Sequence, residues 1–306
     1  MSTESKRWLR LVVNGKAAGD PMLRPAVKEI RDAGHRMDVR VTWEAGDAAR
    51  MAGEAVSEGV DVVVAGGGDG TINEVATGML ANGNTGQSAM AVLPYGTAND
   101  FATSTGVLKG DPLSALKLAA SGPATAIDVG QVNDRLFVNV TSGGFGAEVT
   151  ANTPPQMKKA LGGAAYSLMG IVTAAKMNPY ECKFTGPDNS IKEAKLLVLA
   201  VGNGIQCGGG YRVTPDALLN DGMLDVTVIH DAELSQLGLV LSELSNLSEP
   251  SNRFVTSRRV SSFKLESQQP LQLNLDGEPY RDTHFEFKVL PAALRFVLGP
   301  DAPLQV

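Results

Sequence analysis

The feature that most constrains the fold is a glycine-rich segment, Gly66 to Gly70, between an apolar run and a helical pattern. The preceding run, DVVVA at 61–65, is rich in β-branched residues, which is typical of a strand buried on both faces. Residues 72–81 then follow helical spacing. A strand, a tight glycine turn and a helix in this order predict a βα unit of a parallel sheet.

The same segment is a candidate phosphate site. Glycines let the backbone approach a ligand closely, and the following helix offers free N–H groups at the positive end of its dipole. A glycine-rich turn without a ligand is the alternative. The chain has no G-x-x-x-x-G-K-[ST] P-loop, and Thr71 stands where a G-x-G-x-x-G motif has its third glycine, which disfavours a Rossmann oxidoreductase.

Strand and helix patterns alternate over residues 1–127, which predicts a doubly wound, mostly parallel α/β domain. The predicted strands are 9–13, 37–42, 61–65 and 89–93, and the predicted helices are 21–33, 47–58, 72–81 and 112–121.

The pattern changes near Ile127 to closely spaced strands, which predicts an antiparallel β domain over residues 128–289. Its predicted strands are 129–132, 136–140, 195–201, 223–229, 271–275 and 284–289, and a further strand is predicted at 294–298. Two helices are predicted among them, at 155–177 and 234–247.

Composition limits the function classes. The formal net charge of −6 disfavours a nucleic-acid binder, and two cysteines without a CxxC pair disfavour a zinc site or a disulfide framework. The N-terminus lacks a signal-peptide pattern, and the apolar stretch 160–175 is too short to span a bilayer. We therefore expect a cytoplasmic protein with no nucleic-acid partner and no evident obligate protein partner.

Three further segments carry residues suited to chemistry. LPYGTANDF at 93–101 follows a predicted strand, so its polar residues are expected at the same sheet edge as the glycine segment. The turn around Asp221-Gly222 presents a carboxylate beside backbone carbonyls, which suits Mg²⁺ or Ca²⁺. Asp276 and Glu278 flank a glycine after an apolar strand and are candidates for a general base. The alternative for 93–101 is the capped start of a helix. The alternative for the Asp221 and Asp276 segments is a plain turn without a role in chemistry.

GGGDGTINEV, LPYGTANDFA, the NDG segment and NLDGEP occur in a fixed order that resembles the diacylglycerol kinase catalytic family, and most closely its bacterial YegS-like lipid kinases. The resemblance runs from about Leu11 to Pro303. It implies a nucleotide domain like those of NAD kinase and phosphofructokinase, rejoined by about 290–306, and a β-sandwich domain, with the active site in the cleft between them. It also implies transfer of the ATP γ-phosphoryl group to a lipid hydroxyl, with Mg²⁺ required.

The resemblance assigns roles residue by residue. Glu278 matches the proton acceptor, with Asp276 as the second choice. The metal site matches Leu218, Asp221 and Met223, where backbone carbonyls at the two flanking positions make the methionine tolerable. The residues that match nucleotide contacts are Thr42, Gly68, Asp69, Gly70, Thr71, Ile72, Asn73, Glu74 and Thr97. Since a carboxylate repels phosphate, we expect Asp69 to bind ribose hydroxyls or to act through Mg²⁺.

Two other functions stay open at this point, a kinase of a soluble or sphingoid acceptor (NAD or sphingosine) and a nucleotide-binding regulator without turnover. For a lipid acceptor, the enzyme would act transiently at the inner membrane surface. Residues 160–175 could line an acyl cleft or pack in the core. A basic window that lacks acids could dock anionic headgroups or form a solvated face; its cations are Arg253, Arg258, Arg259 and Lys264.

Overall fold

The computed structural model describes residues 6–81, 87–107, 109–144, 179–247 and 249–305. The chain forms two compact units: the first comprises the N-terminal part up to Asp128 together with Ala292–Leu304, and the second comprises Val129–Pro291. The helix predicted at 155–177 and the apolar stretch 160–175 lie outside the described residues. In the ranges just given, no helix is both long and apolar enough to cross a bilayer.

The first unit alternates strands and helices along the chain. Its strands are β1 (Trp8–Asn14), β2 (Arg36–Thr42), β3 (Val62–Gly67) and β4 (Ala89–Pro94). Its helices are α1 (Leu23–Asp32), α2 (Asp47–Ser57), α3 (Asp69–Ala81), α4 (Asp100–Ser104) and α5 (Pro112–Ser121). Helix α3 begins at Asp69, three residues earlier than predicted, because the turn needs only the glycines before it.

The four strands pair in parallel in the order β2-β1-β3-β4. Their carboxyl ends lie along one edge, since Asn14 is opposite Thr42, Val13 is opposite Gly66, and Gly67 is opposite Pro94. The chain adds β2 on one side of β1 and then β3 and β4 on the other side. The strand order therefore reverses between β1 and β3, and open α/β sheets bind ligands at such a switch point. The glycine segment follows β3 and therefore lies at that point.

Close helix packing supports this sheet. Gly78 of α3 faces α2 so closely that a Cβ atom there would lie 2.0 Å from the carbonyl oxygen of Ala49.

The buried Arg10 of β1 is paired, with its guanidinium 2.6 Å from the Glu58 carboxylate and 3.2 Å from that of Asp38. Pairing of this kind is what makes a buried guanidinium tolerable.

The second unit is mainly antiparallel. Its strands are β5 (Ala124–Val132), β6 (Arg135–Phe137), β7 (Val140–Gly144), β8 (Tyr180–Thr185), β9 (Ile191–Gly202), β10 (Gln206–Cys207), β11 (Tyr211–Arg212), β12 (Leu224–His230), β13 (Val255–Val260), β14 (Ser262–Leu275) and β15 (Glu278–Val297), with helix α6 (Leu237–Leu244). The main strand order is β13-β12-β9-β7-β14-β15, and β8 pairs with both β9 and β14. Stacked rings of Phe263 and Phe287, with centroids 4.5 Å apart, lie in its core.

The C-terminal strand differs from its prediction. Residues 284–289 and 294–298 were expected as separate strands, but β15 runs through both, and its last residues pair in parallel with β4 in the first unit (Arg295 with Ala89). Ala292 absorbs the change of direction with φ +49°. Its N–H donates to the carboxylate of Asp128 at 2.8 Å, which holds this strained position.

A buried carboxylate organises the end of the second unit. Glu243 of α6 accepts backbone N–H groups of Arg253, Phe254 and Val255 at 3.0, 2.8 and 2.9 Å, and so holds the chain as it enters β13. Burial raises the pKa of Glu243, but the three N–H donors outweigh burial and hold the pKa below its ordinary value.

We expect Glu243→Gln to lower the free energy of unfolding by about 1–3 kcal/mol at neutral pH, because one backbone donor loses its acceptor. The native pKa is below the unfolded one, so this stabilisation is present above pH ~4.3 and is lost as the pH falls through the native pKa. Chemical denaturation between pH 3 and 7 measures the difference. Glu249→Gln, an exposed carboxylate on the same segment, should change stability by less than ~0.5 kcal/mol; equal effects of the two variants would contradict this account.

Candidate functional site

The candidate site of the first unit is built on a contact between two backbones. A Cβ atom added to Gly96 would lie 2.4 Å from the Cα atom of Gly68, so the loops after β3 and β4 touch without side chains between them. The N–H of Tyr95 donates to the carbonyl of Gly67 at 2.8 Å and joins the loops again. Gly67 is equally constrained, since its Cβ would lie 2.3 Å from Oγ1 of Thr71. The glycines are therefore required by the geometry of the turn.

An asparagine fixes the loop after β4. Asn99 has φ +55°, a left-handed conformation that asparagine tolerates better than most residues. Its buried amide accepts the N–H of Gly96 at 2.6 Å and donates to the carbonyl of Gly96 at 2.8 Å. This closes the turn GTAN and sets the start of α4.

Asp69 links the two loops. Its carboxylate accepts the backbone N–H groups of Phe101 at 3.2 Å and of Asp100 at 3.4 Å, at the start of α4. Burial raises the pKa of Asp69, the nearby Asp100 carboxylate adds to the rise, and the N–H donors oppose it. The carboxylate therefore holds the second loop against the first. Its contact with nucleotide stays a prediction.

The remaining residues predicted to contact nucleotide occupy different surroundings. Thr42 is half-buried at the end of β2, and Thr97 is exposed in the loop after β4. Gly70, Thr71, Asn73 and Glu74 are half-buried on the first turns of α3. Ile72 is completely buried, and its N–H donates to the carbonyl of Gly68 at 3.1 Å, so it supports the turn from within.

A tyrosine that the sequence analysis did not single out also holds this edge. The hydroxyl of Tyr95 donates to the carboxylate of Asp20 at 2.7 Å and joins the loops after β1 and β4. Burial, and then the Asp20 carboxylate, raise the pKa of Tyr95. In the sequence, only its position beside Gly96 in LPYGTAND could have indicated that Tyr95 belongs to the site.

In the second unit, Asp276 and Glu278 differ sharply. Asp276 and Gly277 form the two-residue turn between β14 and β15, with φ +48° and +108°, as expected for a type I′ hairpin. The Asp276 carboxylate is buried and accepts the N–H groups of Val138, Asn139 and Val140 at 2.7, 3.1 and 3.1 Å. These donors stabilise its charged form and occupy its oxygens, which argues against Asp276 as the proton acceptor.

Glu278 is the first residue of β15, directly after this turn, and is exposed. Its partner across the hairpin is Leu275. The turn before it is fixed twice, by the Asp276 carboxylate and by the N–H of Gly277, which donates to the Asn274 side chain at 2.8 Å. The hairpin therefore presents an exposed carboxylate directly after an ordered turn.

The predicted metal segment combines one carboxylate with main-chain groups. Asp221 accepts the N–H of Met223 at 3.1 Å through one oxygen, and its other oxygen lies 3.6 Å from the Arg259 guanidinium. Arg259 also lies 3.4 Å from Asp225. Burial raises the pKa of Asp225, and Arg259 opposes that rise.

In the part of the chain that was searched, no cluster of three or more His, Cys, Asp or Glu residues could hold a metal by side chains alone. A hard cation here would therefore rely on the carbonyls of Leu218 and Met223 besides Asp221. That donor set fits Mg²⁺ or Ca²⁺ chemically, although the positive charge of Arg259 competes with the cation.

Comparisons with known proteins agree with this arrangement. Residues 9–132 match the diacylglycerol kinase catalytic domain, and residues 139–298 match the YegS C-terminal NAD kinase beta sandwich-like domain. The chain is 43% identical over 295 residues to the "Probable lipid kinase YegS-like" of Enterobacter sp. (strain 638), covering 96% of this chain and 97% of that protein. It is 44% identical over 296 residues to the protein of the same name from Klebsiella pneumoniae (strain 342), with the same coverage of both chains.

A solved structure of a diacylglycerol kinase-like protein from Bacillus anthracis str. Sterne superposes with a TM-score of 0.80 at 26% identity, covering 98% of each chain. Both domains, the close relatives and the solved fold thus agree over nearly the whole sequence. The chain belongs to the YegS-like lipid kinases of the diacylglycerol kinase catalytic family, and it is a phosphotransferase with an alcohol group as acceptor.

Proposed function

We propose that the protein transfers the γ-phosphoryl group of ATP to a hydroxyl of a phosphatidylglycerol- or diacylglycerol-like lipid at the inner membrane surface. The observation that carries this proposal is the junction of the two loops at the carboxyl edge of the first unit, where Gly68 and Gly96 touch and Asp69 joins them. Family membership supplies the reaction class, and the junction supports a phosphate site at this edge of the sheet.

On the nucleotide side, the start of α3 supplies backbone N–H groups for phosphate oxygens. Gly68 and Gly70 keep side chains away from that path, and Thr71 adds a hydroxyl. Thr42 and Thr97, on the flanking loops, would contact the remainder of the nucleotide. Phosphoryl transfer depends on positioning and charge stabilisation more than on covalent chemistry, so pre-formed loops of this kind suffice.

On the acceptor side, Glu278 would take the proton from the lipid hydroxyl as the oxygen attacks the γ-phosphorus. Its side chain is exposed, and the Asp276-Gly277 turn fixes the position of the backbone that carries it. Asp276 acts through that turn and is a positioning residue.

We further propose that Leu218, Asp221 and Met223 hold Mg²⁺, with Ca²⁺ as the alternative cation. A bound divalent cation offsets negative charge on phosphate and carboxylate groups. Arg259 partly neutralises Asp221 and Asp225, and because one guanidinium faces two carboxylates, a net negative charge is left for the cation.

Direct phosphate transfer tests the proposal. Purified full-length protein, Mg²⁺ and γ-labelled ATP would be incubated with mixed micelles of phosphatidylglycerol or diacylglycerol, with NAD and sphingosine as the other acceptors. We expect label in one hydroxyl-bearing lipid and none in NAD. Label in NAD or sphingosine alone would contradict the proposed lipid acceptor. ATP binding without transfer to any acceptor would indicate a nucleotide-binding regulator.

Glu278→Gln and Asp276→Asn form a matched pair that separates chemistry from positioning. Loss of the base in Glu278→Gln should lower kcat by roughly 10²–10⁴-fold with unchanged stability. Asp276→Asn should lower the free energy of unfolding by about 1–3 kcal/mol, because an amide nitrogen would face one of the three backbone donors. Wild-type turnover of Glu278→Gln in the transfer assay, or unchanged denaturation of Asp276→Asn, would contradict the respective assignment.

A further inference from the structure

Two strongly exposed apolar side chains lie on one edge of the first unit. Among the described residues, the large hydrophobic side chains with high exposure are Trp43 at 89%, Ile191 at 62%, Met22 at 61% and Leu239 at 45%. Met22 lies in the segment after β1, and Trp43 directly follows β2. Because β1 and β2 are parallel neighbours with Asn14 opposite Thr42, both segments leave the sheet at its carboxyl edge. We call these two residues the Met22–Trp43 edge.

An ordered turn presents Trp43. The Asp47 carboxylate accepts the N–H of Trp43 at 2.9 Å and of Glu44 at 3.3 Å, and Gly46 takes the left-handed conformation the turn needs, with φ +86°. Arg50 in turn holds Asp47 at 2.7 Å. The backbone hydrogen bonds fix the turn while the indole lies in water, so its exposure is not a consequence of a frayed chain.

Met22 is presented in the same way. The Asp20 carboxylate accepts the N–H of Met22 at 2.9 Å through one oxygen and the hydroxyl of Tyr95 at 2.7 Å through the other. The next residue, Leu23, is buried at the start of α1. An aspartate thus fixes the backbone on each of two neighbouring segments and leaves a large apolar side chain outside.

The charges on this edge are balanced. Lys16 and Arg24 are exposed, and neither forms an ion pair with a described residue. Glu44 is an exposed carboxylate on the same edge. Asp20, half-buried beside Met22, is a second carboxylate there. Because two cations face two carboxylates, apolar insertion must supply the binding energy.

We propose that the Met22–Trp43 edge inserts into the headgroup region of a lipid bilayer and docks the enzyme where its acceptor resides. This inference rests on the proposed function, since an enzyme whose acceptor lies in a bilayer must contact that bilayer. Indole suits this depth, because it combines an apolar ring with an N–H that stays near water.

The basic window of the second unit is a weaker docking surface than the sequence indicated. Arg259 pairs with Asp221 and Asp225, and Lys264 with Glu286 at 2.6 Å. Arg253 lies over the ring of Phe254, 5.6 Å from its centroid. These ion pairs engage two of the four cations, whereas Arg253 and Arg258 form no ion pair with a described residue.

Fluorescence of the wild-type protein tests insertion without relying on turnover. Vesicles of phosphatidylglycerol and phosphatidylcholine, with or without brominated acyl chains, would be titrated into the protein. We expect Trp43 emission to shift to the blue and the brominated lipid to quench it. The other tryptophan, Trp8, has Arg36 3.4 Å from its ring centroid and donates to Asp38, so Trp43→Phe gives the background of Trp8 alone.

Variants give the second readout. Trp43→Ser should weaken vesicle binding about tenfold, equivalent to ~1.4 kcal/mol, and Met22→Ser less, while Trp43→Phe should retain part of the binding. Transfer to a vesicle-borne acceptor should show the same rise in KM, and transfer to a dispersed short-chain acceptor should not change. Ile191→Ser, an exposed apolar residue of the second unit, is the control and should bind vesicles like wild type.

The outcomes separate this inference from the proposed function. The docking proposal would be overturned if vesicles did not change the emission of Trp43. It would also be overturned if Trp43→Ser and Ile191→Ser bound vesicles equally well. Emission that responds to ATP but not to vesicles would also overturn it and would place Trp43 beside the nucleotide. Quenching by brominated lipid together with no phosphate transfer to any lipid would support the docking edge and refute the lipid-kinase reaction.

Discussion

The backbone contact between Gly68 and Gly96 is the constraint on which the candidate nucleotide site depends. Two loops from neighbouring parallel strands can meet this closely only if neither carries a side chain at the contact. The contact lies beside the start of α3 at the switch point of the sheet, where we propose that the phosphates bind. Asp69 and Asn99 then hold the second loop in place from either side.

Several acidic side chains in this protein accept hydrogen bonds from backbone N–H groups. Asp69, Asp276, Glu243 and Asp47 each accept two or three main-chain N–H groups at a turn or at the start of an element. Ionised carboxylates are strong acceptors, so each fixes several residues that regular secondary structure leaves without partners. Glu278 is an exposed carboxylate next to such a turn. The contrast between Asp276 and Glu278, two positions apart, is the clearest sign of which one is suited to chemistry.

The first unit could be predicted well from sequence because β3 and β4 are short apolar runs, β1 is largely apolar and β2 alternates, and each strand is followed by turn residues and a helix. The second unit was harder. Strands β8 (YECKFT) and β13 (VTSRRV) carry charged or polar residues on one face and therefore lacked a continuous apolar signal. The bend at Ala292 hid the continuity of β15 because a Pro-Ala-Ala segment reads as a break.

At the candidate site, motif order singled out the two loops and Glu278 as candidates, but it did not indicate the contacts that each residue makes. Nothing in the sequence indicated that the Asp276 carboxylate turns back onto three N–H groups or that Tyr95 bonds Asp20, since both contacts join residues far apart in the chain. The exposure of Trp43 was equally invisible, because an aromatic residue after a strand is usually read as core.

The most direct test of the two-loop junction is ATP binding by the Gly96→Ala variant, measured calorimetrically beside wild type. A methyl group there would meet the Cα atom of Gly68 and separate the loops, whereas Gly19→Ala, with open space around its Cβ, is a control in the same unit. The account predicts that Gly96→Ala folds but loses at least about tenfold in ATP affinity, while Gly19→Ala binds like wild type. Unchanged ATP affinity of Gly96→Ala would contradict the central claim that the contact between these loops forms the nucleotide site.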